Sequence, residues 1–464
     1  MKSFFAALTR HPLSLAGAAI TTAAAIIFAV FFTLELFGFH GHPYAGILAY
    51  LIVPALFVAG LLLIPIGLRL ARRRAQTGKQ LPVIDLNVDR TRNRVLVFVA
   101  LTALNIVIVA VAAYKGVEVM DTTAFCGETC HSVMEPEHTA FQRGAHASAR
   151  CIDCHIGPGA SWFVKSKLSG SWQVVSVALD LYPRPIPTPV ENLRPARETC
   201  EQCHWPQKFV GDRLKVITKY KPNEENTELK TVLLLRVGGI EGRQSHGIHW
   251  HVDPAHSIRY RSDESRETIH EVEMTGSDGE VTHFYADGDE EASKAAGGIW
   301  RTMDCVDCHN RPSHTFHMPE QEIDQMMAVG RIAKDLPYVR REGFKLLEGE
   351  YADKAAAGDA IRAGLVGFYR DQYPEVAASR AAEIETAADA LAEAWRSNVF
   401  PHMNITWNTY PNHIGHLQSP GCWRCHDDSH TSPEGRTIAQ DCDTCHSLLA
   451  EEEVEPEILA TLAP

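Results

Sequence analysis

Twelve cysteines fall into six pairs, and a histidine follows the second cysteine of every pair. Five pairs read C-x-x-C-H: Cys151/Cys154/His155, Cys200/Cys203/His204, Cys305/Cys308/His309, Cys422/Cys425/His426 and Cys442/Cys445/His446. The pair nearest the N-terminus, Cys126 and Cys130 before His131, has one extra residue between the thiols. Two thiols one turn apart can add to the two vinyl groups of a haem, and the next histidine is then held beneath the iron; this is the attachment signature of haem c. Histidine is about one residue in twenty here, so six such coincidences are not chance. A disulfide framework accounts for paired cysteines in an exported chain but leaves the histidines without a role. Zinc ribbons use C-x-x-C pairs, but no histidine is needed after each one. The sequence therefore predicts six covalently bound haem c groups, numbered 1 to 6 in chain order.

Electron-transfer haems usually carry two protein axial ligands, and their identity sets the potential. The motif histidines His155, His204, His309, His426 and His446 supply one side, so five or six further ligands must come from the remaining histidines. In His246-Gly-Ile-His249-Trp-His251, His249 is favoured. His314 or His317 follows motif 4 at loop spacing, with His314 preferred. His413 or His416 precedes motif 5, with His413 preferred, and His430 lies between motifs 5 and 6. His270 and His283 fall on expected strands and read as structural. Met318 and Met403 read as core fillers.

These motifs must be positioned by the rest of the 464 residues. Three long apolar runs, 13–37, 44–68 and 95–114, each reach the roughly 20 residues that span a hydrocarbon core. The first is too long for a signal-peptide core and lacks a small-x-small cleavage site, so it reads as a retained helix. Segment 69–94 carries eight Lys or Arg, against none in 38–43; the positive-inside rule puts 69–94 in the cytoplasm and everything after Tyr114 on the outer face. That is the side on which haem c is attached. Residues 1–114 hold ten bases and three acids, leaving −20 on the remainder of a chain whose net charge is −13. An acidic body does not bind nucleic acid by phosphate neutralisation. Between motifs 3 and 4, short β-branched segments such as LKVITKY, KTVLLLRV, SIRYRS, TIHEVEM and VTHFYA predict a small antiparallel β insertion. Residues 319–398 predict helices, with an Ala/Glu-rich run from Glu375 to Trp395.

An apolar helix followed by Cys126 to Met134, Cys151-Ile-Asp-Cys154-His155 and Cys200-Glu-Gln-Cys203-His204 resembles the NapC/NirT family of membrane-anchored multihaem cytochromes c. The stretch PRPIPTPVENLRPARETCEQCHWPQKF (183–209) is similar to its longer members, inner-membrane quinol-oxidising cytochromes of metal-respiring bacteria. The similarity is firm over roughly 95–210 and looser over 300–320 and 400–450. It implies a multi-pass protein of the bacterial cytoplasmic (inner) membrane with its haem domain on the periplasmic side. The fold class is then a membrane-anchored multihaem cytochrome c: three N-terminal transmembrane helices (1–114), a NapC/NirT-like domain with haems 1–3 (115–209), a β-rich insertion (210–300) and a C-terminal domain with haems 4–6 (301–464). Two departures stand out. Small family members have one membrane helix and four haems. Their first motif also has two residues between its cysteines and a Met two after the His, whereas here Met134 comes three after His131; haem 1 is left with His131 or Met134 as its ligand. By family position, His146 in GAHASARC is a distal ligand.

The resemblance further implies a quinol dehydrogenase that takes electrons from membrane quinol and passes them to periplasmic cytochromes or reductases. A family lysine after the second motif lines the quinol pocket, and Lys165 and Lys167 in SWFVKSKLSGSW match it, Lys167 better. No acidic partner is obvious: Gln173 and Asp180 lie nearest in sequence. Glu35, His40 and His42, at the outer ends of the first two helices, are candidate proton acceptors. Two other functions stay open, a multihaem terminal reductase with an open iron position and a passive electron wire within a larger membrane complex.

Overall fold

The computed structural model describes residues 11–36, 52–76, 85–93, 95–97, 100, 115, 118–129, 131–157, 159–190, 194–205, 211–241 and 244–462. The chain folds as two compact units, one of residues 1–122 with 151–174 and the other of 123–150 with 175–464. Motif 2 and the two lysines therefore belong to the first unit, and the other five motifs to the second. Most of the third expected membrane run, with His40 and His42 and the side chain of Glu35, lies outside the described residues.

In the first unit, helices Pro12–Leu36 and Val53–Gln76 pack side by side. His11 caps the first, its Nδ1 accepting the Leu13 N–H at 3.1 Å. The two helices meet through small residues. A Cβ at Gly17 would lie 2.7 Å from the Gly60 carbonyl oxygen, and one at Gly60 would strike Thr21. Close backbone approach of this kind is how apolar helices pair without a hydrophobic driving force between them. The opposite faces expose Leu15, Ile26, Ile27 and Val30 on one helix and Leu56, Val58, Leu61, Leu62 and Ile66 on the other. The second helix, Val53–Gln76, overlaps the expected 44–68 and continues through Arg72-Arg73-Arg74, while residues 44–51 lie outside the described residues. Among the described residues, no helix is both long and apolar enough to cross a membrane.

The second unit has a helical part and a sheet part. Helices Pro319–Ala328, Val339–Leu347, Lys354–Gln372 and Ala381–Asn398 close over one core containing Ile323, Met327, Leu336, Leu365, Leu391 and Trp395. The Ala-rich last helix buries Ala387, Ala388, Ala390, Leu391, Ala392 and Ala394, small residues that let its neighbours approach closely.

The β segments expected over 210–300 form, but not as a self-contained insertion. Strands β1 (Arg213–Tyr220) and β2 (Glu228–Leu235) make an antiparallel hairpin, β3 (Gly239–Glu241) pairs with β4 (Gln244–His246), and β5 (Ser257–Ser262), β6 (Ile269–Thr275), β7 (Val281–Tyr285) and β8 (Ile299–Thr302) form a sheet in the order β7-β6-β5-β8. A lone hairpin is marginal in water. β1–β2 gains its third strand from the far C-terminal end, β9 (His446–Glu453), with Leu235 opposite His446. The sheets thereby place two haem motifs: β8 leads directly into motif 4, and β9 starts on the histidine of motif 6.

Candidate haem-binding sites

Each motif sits on a short turn with local support. Motif 1 occupies a single π-turn, Phe125–Thr129; the wider i→i+5 turn accommodates the extra residue between its cysteines. Gly127 is required there, because a Cβ would strike the ring of His138. Cys130 lies outside the described residues, as does the side chain of His131. Met134 is half-buried on helix His131–Arg143. Motif 4, helix Cys305–Cys308, carries a capping box: Asp304 accepts the Cys305 N–H at 2.7 Å, and Asp307 accepts the Asp304 N–H at 2.6 Å. Asp441 caps motif 6 by accepting the Asp443 N–H at 3.0 Å.

Four motif histidines of the second unit face a second histidine. Ring centroids are 5.9 Å apart for His146 and His204, 6.5 Å for His249 and His309, 5.7 Å for His251 and His426, and 6.2 Å for His416 and His446. Two imidazoles on one metal, with metal–nitrogen bonds of roughly 2 Å, have centroids roughly 6 Å apart. The spacing matches one metal ion between each pair, and it also falls within the range of ordinary ring contacts. For His251 and His426, the two Nε2 atoms point at each other across 3.4 Å.

The second nitrogens are also arranged for ligation. Nδ1–H donates to a backbone carbonyl in His146 (Pro312, 3.0 Å), His249 (Val237, 3.1 Å), His251 (Ile248, 2.8 Å) and His426 (Ala439, 2.9 Å). Such a bond fixes the tautomer and ring orientation and makes Nε2 the ligating nitrogen. Burial pushes His249, His251, His309 and His416 below the ordinary imidazole value, favouring the neutral form that binds metal.

Among the described residues, no group of three or more His, Cys, Asp or Glu converges as a protein-only metal site would. Large apolar side chains stand uncovered beside the histidine pairs: Trp205, next to His204, is 55% exposed and Leu417, next to His416, is 68% exposed. An apolar macrocycle at each pair would cover such surface. The motifs are also neighbours. Cys200 and Cys305 lie side by side, Cys308 lies close to Cys422 and Cys445, and Arg424 of motif 5 donates to the Asp307 carbonyl of motif 4 at 2.6 Å. Motifs 3 to 6 form a contiguous run.

The expected ligands divide. His146 and His249 stand opposite motif histidines, His146 opposite that of motif 3. His314 donates Nδ1–H to the Glu137 carbonyl at 2.9 Å, as the paired histidines do to theirs, but no facing motif histidine is seen among the described residues. His413 does not face a motif histidine: it is buried, with Nε2 2.8 Å from Glu267 Oε1 and Nδ1 without a partner. His430 has both nitrogens engaged, Nδ1 by Asp427 at 3.0 Å and Nε2 by the Ile269 carbonyl at 3.2 Å, which makes it a fastener between its loop and β6. His416, the stated alternative to His413, faces His446, and His251 faces His426. A local signal existed for both, since His416 shares a loop with His413 and His251 shares a turn with His249, but the sequence reading favoured their neighbours. In the first unit, His155 is exposed at the end of Cys151–His155. Lys165 Nζ sits 4.7 Å over the Trp162 ring, and Lys167 is half-buried on the same helix, Ala160–Ala178. Asp180 pairs with Arg184 at 2.5 Å.

Comparison with known proteins places the chain in a family. Residues 89–183 match the NapC/NirT cytochrome c family, N-terminal region. The chain is 41% identical over 452 residues to the cytochrome c-type protein ImcH of Geobacter sulfurreducens, an alignment covering 95% of this chain and 88% of that protein. No solved structure matches.

Proposed function

The chain belongs to the NapC/NirT cytochrome c family, whose members carry covalently bound haem c, and from that premise we propose that it is a membrane-anchored electron conduit with six haems that oxidises quinol and delivers electrons to a periplasmic redox partner. The observation that carries this reading is the set of four motif histidines, each facing a second histidine at the spacing of one metal ion. Haem iron held there would supply one-electron chemistry by cycling between its ferric and ferrous states.

The chain's own residues do the rest. Haem bound there would be held by the paired thiols, and its iron would be ligated by the paired imidazoles. Iron ligated by two imidazoles would suit electron transfer better than a terminal reductase, which needs an open position. The neighbouring cysteines of motifs 3 to 6 favour short hops from haem to haem. Helices Pro12–Leu36 and Val53–Gln76, paired through glycines with leucine and isoleucine facing outward, support an anchor in the bacterial inner membrane. Lys167 is the residue we place at the quinol, where it would donate a hydrogen bond to a quinol oxygen. The −20 charge beyond residue 114 favours a partner with a basic docking face.

The test compares wild type with Lys167→Ala, extracted in detergent and reduced either by a quinol analogue or by dithionite. Slower reduction of the variant by quinol, with dithionite reduction unchanged, supports the assignment. Equal quinol rates remove Lys167 from the site. If quinol reduces neither protein, the dehydrogenase reading fails and a passive wire within a larger complex takes its place.

A further inference from the structure

We propose that one 3-10 turn, Ile248–Val252, supplies the distal ligands of two different haems: His249 to haem 4, attached at Cys305 and Cys308, and His251 to haem 5, attached at Cys422 and Cys425. This rests on the haem-attachment reading above and carries it further, because it makes a five-residue segment the mechanical link between two redox centres.

The geometry of the turn leads there. At three residues per turn, side chains two apart point to different sides, so His249 and His251 cannot serve one iron but can serve two. His249 faces His309 of motif 4 with the rings nearly parallel, 6° apart, and His251 faces His426 of motif 5 with the rings 73° apart. The turn itself is fixed to the sheet. The Ile248 N–H donates to the Arg236 carbonyl at 2.8 Å, and the His249 N–H to Val237 at 3.2 Å. Gly247, just before it, has φ +74°, and a Cβ there would lie 2.8 Å from Gly238 Cα; only glycine permits the approach. Trp250 lies between the two ligands in sequence, stacked on His256 at 4.0 Å and edge-on to His251 at 5.8 Å. His256 donates Nε2–H to the Trp250 carbonyl and thus serves to hold the turn.

The two motifs are also held to each other on the opposite side. Arg424, inside motif 5, donates to the Asp307 carbonyl of motif 4 and to the Arg266 carbonyl, both at 2.6 Å. Arg266 in turn donates to Asp307 Oδ1 at 2.8 Å. The two motifs are therefore tied to each other through Arg424 and Arg266, and the two facing histidines to each other through the turn. The difference in ring angle makes the two sites spectroscopically distinct. Near-parallel imidazole planes give a rhombic low-spin ferric signal in electron paramagnetic resonance, and near-perpendicular planes give a large-gmax signal.

The experiment uses the full-length haem protein with His249→Met and His251→Met made separately. Intact mass should show six haems in each variant. In His249→Met, the rhombic intensity should fall by one haem and a methionine-to-iron absorption band should appear. In His251→Met, the large-gmax intensity should fall by one haem, with the same new band. Should either methionine variant lose haem, His249→Gly and His251→Gly are examined with and without added imidazole: a high-spin signal that imidazole returns to low spin supports the assignment. Unchanged low-spin intensities in either variant, or depletion of the same signal by both, overturn it. A wild-type mass lacking haem at motif 4 or 5 would instead refute the attachment reading on which the proposal rests.

Discussion

His416 and His446 face each other with ring centroids 6.2 Å apart and planes 28° apart, although the whole of motif 5 lies between them in the chain. Trp423 of that motif stacks on His416 at 4.0 Å, nearly parallel, and sets the plane of its imidazole. His413, three residues earlier, is turned the other way and spends its Nε2 on Glu267.

This predicts opposite outcomes for two neighbouring substitutions. His416→Ala should keep all six haems by mass but convert one to a high-spin form that binds added imidazole. His413→Ala should leave every haem low-spin and cost stability instead, about 1–3 kcal/mol for a buried hydrogen-bonding group lost. A high-spin signal in His413→Ala, with none in His416→Ala, would reverse the assignment.

The π-turn at Cys126 carries the second prediction. Pyridine haemochrome assay and intact mass should agree on six haems per chain, the C-x-x-x-C-H site included. Gly127→Ala forces a methyl against the His138 ring, an overpacking that costs about 1–3 kcal/mol. The variant should therefore contain a fraction with five haems, the missing one mapping to Cys126 by peptide mass. Five haems in the wild type would mean that the longer spacing is not used for attachment.

Glu322 gives the pH dependence. It is almost fully buried, with Arg143 paired to it, His317 Nδ1 at 3.1 Å and Asn398 Nδ2 donating at 2.9 Å. Burial pushes its carboxyl up, but the hydrogen bond and charge of His317, together with Arg143, outweigh that and hold it at about 2. A carboxylate held below its unfolded value of 4.5 stabilises the fold above about pH 4.5, and the contribution is lost as pH falls toward 2. Glu322→Gln should therefore be less stable than wild type at pH 7 by about 3 kcal/mol, with the gap closing below pH 4. Denaturant unfolding followed by far-ultraviolet circular dichroism at pH 7 and pH 3 measures this. A gap of the same size at both values would show that the Glu322 charge is not the cause.

Haem attachment was legible in the sequence because it is local. Two thiols and a histidine within one turn are fixed by chain geometry alone, so Cys305, Cys308 and His309 could be named without a fold. The helical run over 319–398 and strands such as Ser257–Ser262 were legible for the same reason, since periodicity and propensity act between near neighbours. The facing histidines are not local. His146, His249, His251 and His416 reach the motif histidines through separate loops and sheets, and histidine spacing carries no record of which loop folds over which motif. His413 and His416 look alike as letters; burial beside Glu267 took one, and the space opposite His446 took the other. The third strand of the β1–β2 sheet was equally hidden, because HSLLAEEE becomes a strand only where Leu235 offers unpaired backbone groups opposite His446. The amino-acid sequence alone determined the chemistry that each motif can perform. Tertiary structure decided which histidines complete it, because that choice depends on which backbone carbonyls and buried surfaces the fold brings beside each ring.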